Sequence, residues 1–287
     1  MQLGKYSIGT GDRFCHQGEA QLRAIMKANE KSGLDINIVW NKSNREHTYV
    51  HTVPQDTRIE AEAAVKALGY TGQYFVDADH INFSNVAGFV DSSDFFTLDV
   101  ASFIGKESAD ADVQAFITSC SKYVGKLQVP GFDHELDVTP EMLEKIAHKF
   151  LAATQQAADI YNFLADKKGK GNFITEVSMD EVESPQTPLE MLFILKMLAD
   201  KGVPAQTIAP KFTGRFNKGV DYTGDLDQFA KEFEEDVLVL DYCVKEFGLP
   251  AEIKLSVHSG SDKFSIYPIM AAVILKHDKG LHVKTAG

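Results

Sequence analysis

The stretch YFVDADH, residues 74–80, carries the reading of the fold. Tyr74, Phe75 and Val76 suit a buried strand, and within four further residues the chain presents Asp77, Asp79 and His80. An apolar strand that turns abruptly polar at its C-terminal end is what a parallel barrel requires. The strand packs into a core, and its end opens onto the face where barrel enzymes place their active sites.

The same pattern recurs along the chain. Apolar, β-rich runs at 6–9, 36–40, 95–99, 173–177, 207–212, 253–257 and 281–284 each lead to polar residues. Those residues are Asp12-Arg13, Asn41-Lys42, Asp99, Glu176 to Glu181, Lys211, His258 to Lys263, and His282 with Lys284. Amphipathic segments at 19–32, 58–68, 141–166, 188–201 and 226–247 alternate with them and predict helices. Gly33 and Gly248 stand where helix C-caps belong, and Thr139 before Pro140 reads as an N-cap. Eight strands alternating with helices predict an α/β protein folded as a (β/α)8 TIM barrel. A doubly wound open sheet fits less well, because GTGDRF after the first strand lacks the third glycine of a dinucleotide fingerprint. Residues 1–287 are expected to form a single barrel domain. An insertion at about 105–138, around Pro130-Gly131, reads as a hairpin or lid. The sequence ends just after the eighth strand, so the helix that normally follows it is expected to be missing from this chain.

Composition narrows the function. Lys and Arg total 29 against 41 Asp and Glu, a net charge of -12, which disfavours nucleic acid and anionic membrane surfaces as partners. Cys15, Cys120 and Cys243 are scattered and odd in number, which points to a reducing compartment and away from a disulfide framework. The N-terminal residues do not read as a signal peptide, and no apolar run approaches the roughly 18 residues of a membrane helix. A cytoplasmic protein is expected, with self-association into a homo-oligomer left open.

Three histidines, His80, His258 and His282, fall at the ends of strands three, seven and eight. Neutral imidazoles from such ends can converge on one divalent cation, and three protein ligands leave room for substrate. Asp79 adjoins a presumed ligand and can serve as a general base. Glu176 begins an inward-pointing series with Ser178 and Asp180. It reads as a fourth ligand or, preferably, a second acid–base group, with Asp180 and Glu181 taken as solvated charges. The turn SGSDK, with Ser259, Gly260 and Lys263, resembles a small anion-binding turn. Arg13, Lys42, Lys211 and Lys284 are further cations for an anionic substrate.

Together these motifs resemble the tagaturonate/fructuronate epimerase family of hexuronate breakdown. The resemblance rests on SIGTGDRF (7–14), DADH (77–80), EVSMDE (176–181), GVDYTGDL (219–226), HSGSDKFSIYP (258–268) and HVKTAG (282–287). It implies a divalent metal and interconversion of two keto hexuronates. It also implies Asp79 as proton acceptor, Glu176 as proton donor, and His80, His258 and His282 as ligands. The native metal, zinc, manganese or nickel, does not follow from the ligand types. A looser likeness joins the chain to class II aldolases, which also pair an Asp with a metal-binding His. The inverted carbon lies β to the ketone, where the C–H is not acidic, so retro-aldol cleavage and re-addition is the expected route. The alternatives are an aldolase of that class, acting on a sugar acid or ketose, and a non-catalytic sugar-binding barrel.

Overall fold

The computed structural model describes residues 1–285; Ala286 and Gly287, the last two positions of the HVKTAG motif, lie outside the described residues. Eight parallel strands close into a barrel: β1 (Tyr6–Gly11), β2 (Ile36–Ser43), β3 (Tyr74–Ile81), β4 (Phe95–Asp99), β7 (Ile174–Ser178), β8 (Thr207–Ala209), β9 (Lys254–Val257) and β10 (Leu281–Lys284). Strand β1 pairs with both β2 and β10, which closes the ring.

Among the described residues eight helices surround it, but not one per strand: α1 (Gly18–Ser32), α2 (Asn44–Val50), α3 (Pro54–Leu68), α4 (Asp110–Ser119), α5 (Pro140–Lys168), α6 (Pro188–Asp200), α7 (Leu226–Phe247) and α8 (Tyr267–Lys276). Strand β2 is followed by two helices, and β4 by α4 and α5. After β3 there is only a short 3-10 turn, Val86–Phe89. Among the described residues only Thr285 follows β10. The expected caps are in place. Gly33 and Gly248 adopt left-handed backbones at φ 70°, and Thr139 Oγ1 accepts from the Met142 amide. Strand β8 is shorter than the 207–212 expected, because Pro210 has no N–H for a ladder.

Residues 105–138 hold α4 and an antiparallel pair, β5 (Gly125–Leu127) and β6 (Leu136–Val138). This unit packs against the outer side of the barrel. Lys122 Nζ and Tyr123 Oη both donate to Glu246 of α7, and Gly131, at φ 97°, lies over Leu238. None of its residues lines the pocket at the barrel mouth.

Side-chain alternation stacks the barrel interior in layers. Phe75, Phe95 and Ile174, with Leu3 and Val39, form an apolar floor. Two residues further along their strands, Asp77, Thr97 and Glu176 form a fully buried polar layer. Asp79, Asp99 and Ser178 come next, at the mouth. Between β3 and β4 the register slips from Ala78 to Ile81, and His80 takes a left-handed backbone at φ 51°. This bulge breaks the alternation, so Asp79 and His80 both line the mouth pocket.

Gly9 of β1 makes room for the interior of β10. A Cβ there would stand 2.9 Å from Cγ of Lys284 and 3.1 Å from Oδ1 of Asn41. Gly9→Ala is expected to cost about 1–3 kcal/mol through overpacking. A thermal midpoint several degrees below wild type is the expected measurement; an unchanged midpoint would show that the Lys284 stem can shift freely.

Candidate metal centre and active site

Lys284, on the last barrel strand, is the electrostatic centre of the site. Its ammonium is buried, 2.7 Å from Asp77 Oδ2, 2.6 Å from Asp79 Oδ1 and 3.2 Å from Glu176 Oε1, and it donates to Thr97 Oγ1 at 2.7 Å. Burial opposes its charge, but the carboxylates of Asp77, Asp79 and Glu176 more than offset this and hold its pKa well above normal. Thr97 Oγ1 lies 3.0 Å from Asp77 and 3.1 Å from Glu176, and Thr207 Oγ1 donates to Glu176 Oε2 at 2.7 Å.

One ammonium facing three carboxylates leaves an imbalance. Burial lifts Asp77 to about 7, opposed by Lys284 and reinforced by Asp79 and Glu176. Asp79 is also penalised by burial, yet Lys284 and His80 hold it below the usual carboxylate range. For Glu176, Lys284 and His258 overcome burial and keep it ionised far below its ordinary value.

Asp79 and Glu176 each grip an imidazole. His80 Nδ1 is 2.9 Å from Asp79 Oδ1, and His258 Nε2 is 2.8 Å from Glu176 Oε1. The two rings meet at 5.0 Å between centroids. Their other nitrogens, His80 Nε2 and His258 Nδ1, are buried and make no well-aligned hydrogen bond. They face the two oxygens of Asp180, at 3.5 and 3.2 Å. Ligand atoms of His80, Asp180 and His258 all lie within 4.8 Å of one another.

This donor set fits a divalent cation: two imidazole nitrogens and one carboxylate face one another, and each imidazole is oriented from behind by a carboxylate. Without the cation, burial lowers the basicity of both rings but the carboxylates prevail. Asp180 and Glu176 carry His258 up to about 9, and Asp79 and Asp180 carry His80 well above its ordinary value. Asp180, disfavoured by burial, is held well below its ordinary value by His258 and His80.

The third imidazole is elsewhere. His282 shares the inner face of β10 with Lys284 but lies one layer deeper, fully buried, with Nδ1 2.8 Å from Ser7 Oγ. Burial, with Glu176 opposing and Lys284 adding, brings it down to about 3, so it is neutral. Asp180 stands in the cluster where His282 was expected. Its signal was present in the alternation Glu176–Ser178–Asp180, which points all three the same way. Asp77 shared the parity of Asp79 in YFVDADH, but Thr97 and Thr207 had no comparable sequence signal, because their roles arise from pairing across strands.

The expected substrate contacts divide. Arg13, Ser259 and Lys284 line a mouth pocket of about 300 Å³, together with Asp79, His80, Asp180 and His258. Lys211 lines an adjoining pocket that shares Asp180, His258 and Ser259 with the first. Lys263 lines neither; its fully buried ammonium donates to the carbonyls of Asn217 and Val220 and to the Asp262 carboxylate. The SGSDK turn is bonded within itself, with the Lys263 amide donating to the Gly260 carbonyl, and to β10, with the Gly260 amide donating to the Lys284 carbonyl. Lys42 is buried and donates to the Arg13 carbonyl.

The sequence pattern of the family described as tagaturonate epimerase matches residues 1–287. The chain belongs to the tagaturonate epimerase family. It is 31% identical over 300 residues to the tagaturonate/fructuronate epimerase of Thermotoga maritima, covering 98% of this chain and 57% of that one. It superposes on a glycerol complex of fructuronate-tagaturonate epimerase from Cohnella laeviribosi with a TM-score of 0.81 at 26% identity, covering 100% of this chain and 58% of that one. The chain thus spans less than two thirds of the length of these family members. An aldolase from Escherichia coli K12 shares the fold alone, at 9% identity and a TM-score of 0.52. No described helix is long and apolar enough to cross a membrane.

Because the imidazoles hold protons that a cation must displace, metal affinity should depend on pH. With His258 raised to about 9, its proton is bound at pH 7, so the apparent affinity for zinc or manganese is expected to tighten as pH rises from 6 toward 9. Titration calorimetry in buffers of different ionisation enthalpy measures the protons released; heats independent of buffer would contradict the assignment.

Proposed function

We propose that this site epimerises D-tagaturonate and D-fructuronate, with a divalent cation held by His80, Asp180 and His258. The observation that carries the reading is the pair of buried imidazole nitrogens facing Asp180 beside two ionised carboxylates, in a chain of the epimerase family. When bound, the cation would act as a Lewis acid toward the substrate ketone, and zinc, manganese and nickel all suit such ligands.

The two sugars differ at a carbon β to the ketone, so the chain's own residues must move a hydroxyl proton rather than a carbon-bound one. Asp79 is poised as the base: it is ionised, lines the pocket and is held by Lys284 and His80. It takes the β-hydroxyl proton, the bond between the α and β carbons breaks, and its electron pair enters an enediolate while the β carbon becomes an aldehyde. The aldehyde turns within the pocket, the enediolate carbon attacks its other face, and the new alkoxide is protonated. Glu176 takes the donor role: the proton that Asp79 gained passes to it through the Lys284 ammonium, which bonds both carboxylates, and from Glu176 to the alkoxide. Arg13, Ser259 and Lys284 from the mouth pocket, and Lys211 from its neighbour, supply hydrogen bonds and positive charge to the sugar acid. Among the substrate contacts read from the sequence, Lys263 acts indirectly, by fixing the loop that holds Asn217 and Val220.

A class II aldolase acting on a sugar acid or ketose would need the same groups and release its two fragments. The family membership favours recombination over release.

Three experiments bear on this. Protein stripped with EDTA should lose epimerase activity and regain it with zinc, manganese or nickel. Turnover in D2O should leave the inverted carbon free of deuterium; deuterium there would rule out the retro-aldol route. At saturating metal, Asp79→Asn and Glu176→Gln are each expected to lower kcat by about 10²-fold or more. A variant near wild-type kcat would remove that residue from the proton transfers.

A further inference from the structure

The mouth pocket has two chemically different walls. One comes from the β7 and β8 side and carries Asp180, Glu181 and Lys218. The other comes from the first turn of α2 and the loop after β3 and carries Arg45, Asn82 and Asn85. On this second wall the amide oxygens are already engaged. Asn85 Oδ1 accepts the Asn82 amide at 3.0 Å, and Asn82 Oδ1 accepts from both the backbone amide and the hydroxyl of Ser84. That orientation leaves both Nδ2 groups as donors. The acids of the same wall are neutralised: Glu46 faces Arg13 at 3.7 Å and binds Ser43, and Asp79 is held by Lys284. Arg45 is exposed, and among the described residues no side chain pairs with it.

We propose that Arg45, with the Nδ2 groups of Asn82 and Asn85, forms the subsite that binds the substrate's carboxylate and selects a sugar acid over the corresponding neutral ketose. This deepens the function proposed above and rests on it for the identity of the substrate. The opposite side suits a carboxylate less well, because its one cation, Lys218, shares that side with Glu181 and with Asp180, which is committed to the cation site. A guanidinium matches a carboxylate with paired donors, and the two amides extend the donor surface. A sugar acid seated this way has its negative end on the donor wall and its ketone end toward His80 and His258. Arg45 is therefore a specificity-determining residue and takes no part in proton transfer.

The test compares tagaturonate with tagatose, in which a hydroxymethyl group replaces the carboxylate, in metal-loaded wild type, Arg45→Gln and Arg45→Lys. Both turnover and equilibrium binding are measured. Arg45→Gln is expected to raise KM for tagaturonate at least about 10-fold with kcat changed far less, consistent with loss of uniform binding. The preference for tagaturonate over tagatose should fall by a similar factor, and Arg45→Lys should recover part of it. If Arg45→Gln keeps the wild-type preference, or loses both sugars equally, the subsite is overturned while the epimerase reading stands. If wild type turns over neither sugar yet binds tagaturonate more tightly than tagatose, and Arg45→Gln abolishes that difference, the subsite stands and the epimerase reading fails. If wild type binds neither sugar, both fail.

Discussion

The structure depends on a single buried ammonium. Lys284 sits inside the barrel among Asp77, Asp79 and Glu176, on the strand that closes the ring against β1. Three carboxylates at such distances repel strongly where water is excluded, and a buried charge without a partner is costly. Lys284 resolves most of this repulsion, and Asp77, lifted to about 7, absorbs the rest by sharing a proton near neutrality. Because the ammonium arrives on the last strand, closing the barrel and assembling the site are one event. Gly9 is part of the same arrangement, since any larger residue would press on the lysine stem.

From that centre the charge passes outward in two arms. Lys284 fixes Asp79, which holds His80; it also fixes Glu176, which holds His258. The arms converge on Asp180, so the cluster that suits a cation is positioned from behind by the carboxylates proposed to move protons. The backbone bears some strain for this. His80 and Ser259 hold left-handed conformations, at φ 51° and 49°, of the kind that cost of order 1–3 kcal/mol and persist where surrounding structure enforces them. The bulge at His80 has an evident use, because regular alternation would turn either Asp79 or His80 away from the mouth.

Much of the barrel was legible in the sequence. Strand β3 announces itself in YFVDADH, and α7 in a long amphipathic run ending at Gly248. Of the two helices after β2, α3 showed as the amphipathic run at 58–68 but α2 did not: Asn41-Lys42 reads as a strand end, while the chain continues as strand to Ser43 and enters α2 through a capping box between Ser43 and Glu46. The site was legible at strand ends and less so between strands. His80 and His258 follow from their positions, but the depth of His282 depends on the stagger of β10 against its neighbours, which sequence spacing does not contain. Asp180 and Glu181 looked alike as the start of a loop; only the parity shared with Glu176 separates them. Lys263 carried a clear charge beside His258, yet its side chain turns to cap carbonyls of the preceding loop.

The measurement closest to the central claim is anomalous diffraction from crystals of this chain soaked in zinc or manganese, collected on both sides of the metal edge. The account predicts one ion bound by His80, Asp180 and His258, and its loss in Asp180→Asn. An ion bound instead through His282, or density that survives the Asp180 substitution unchanged, would contradict it.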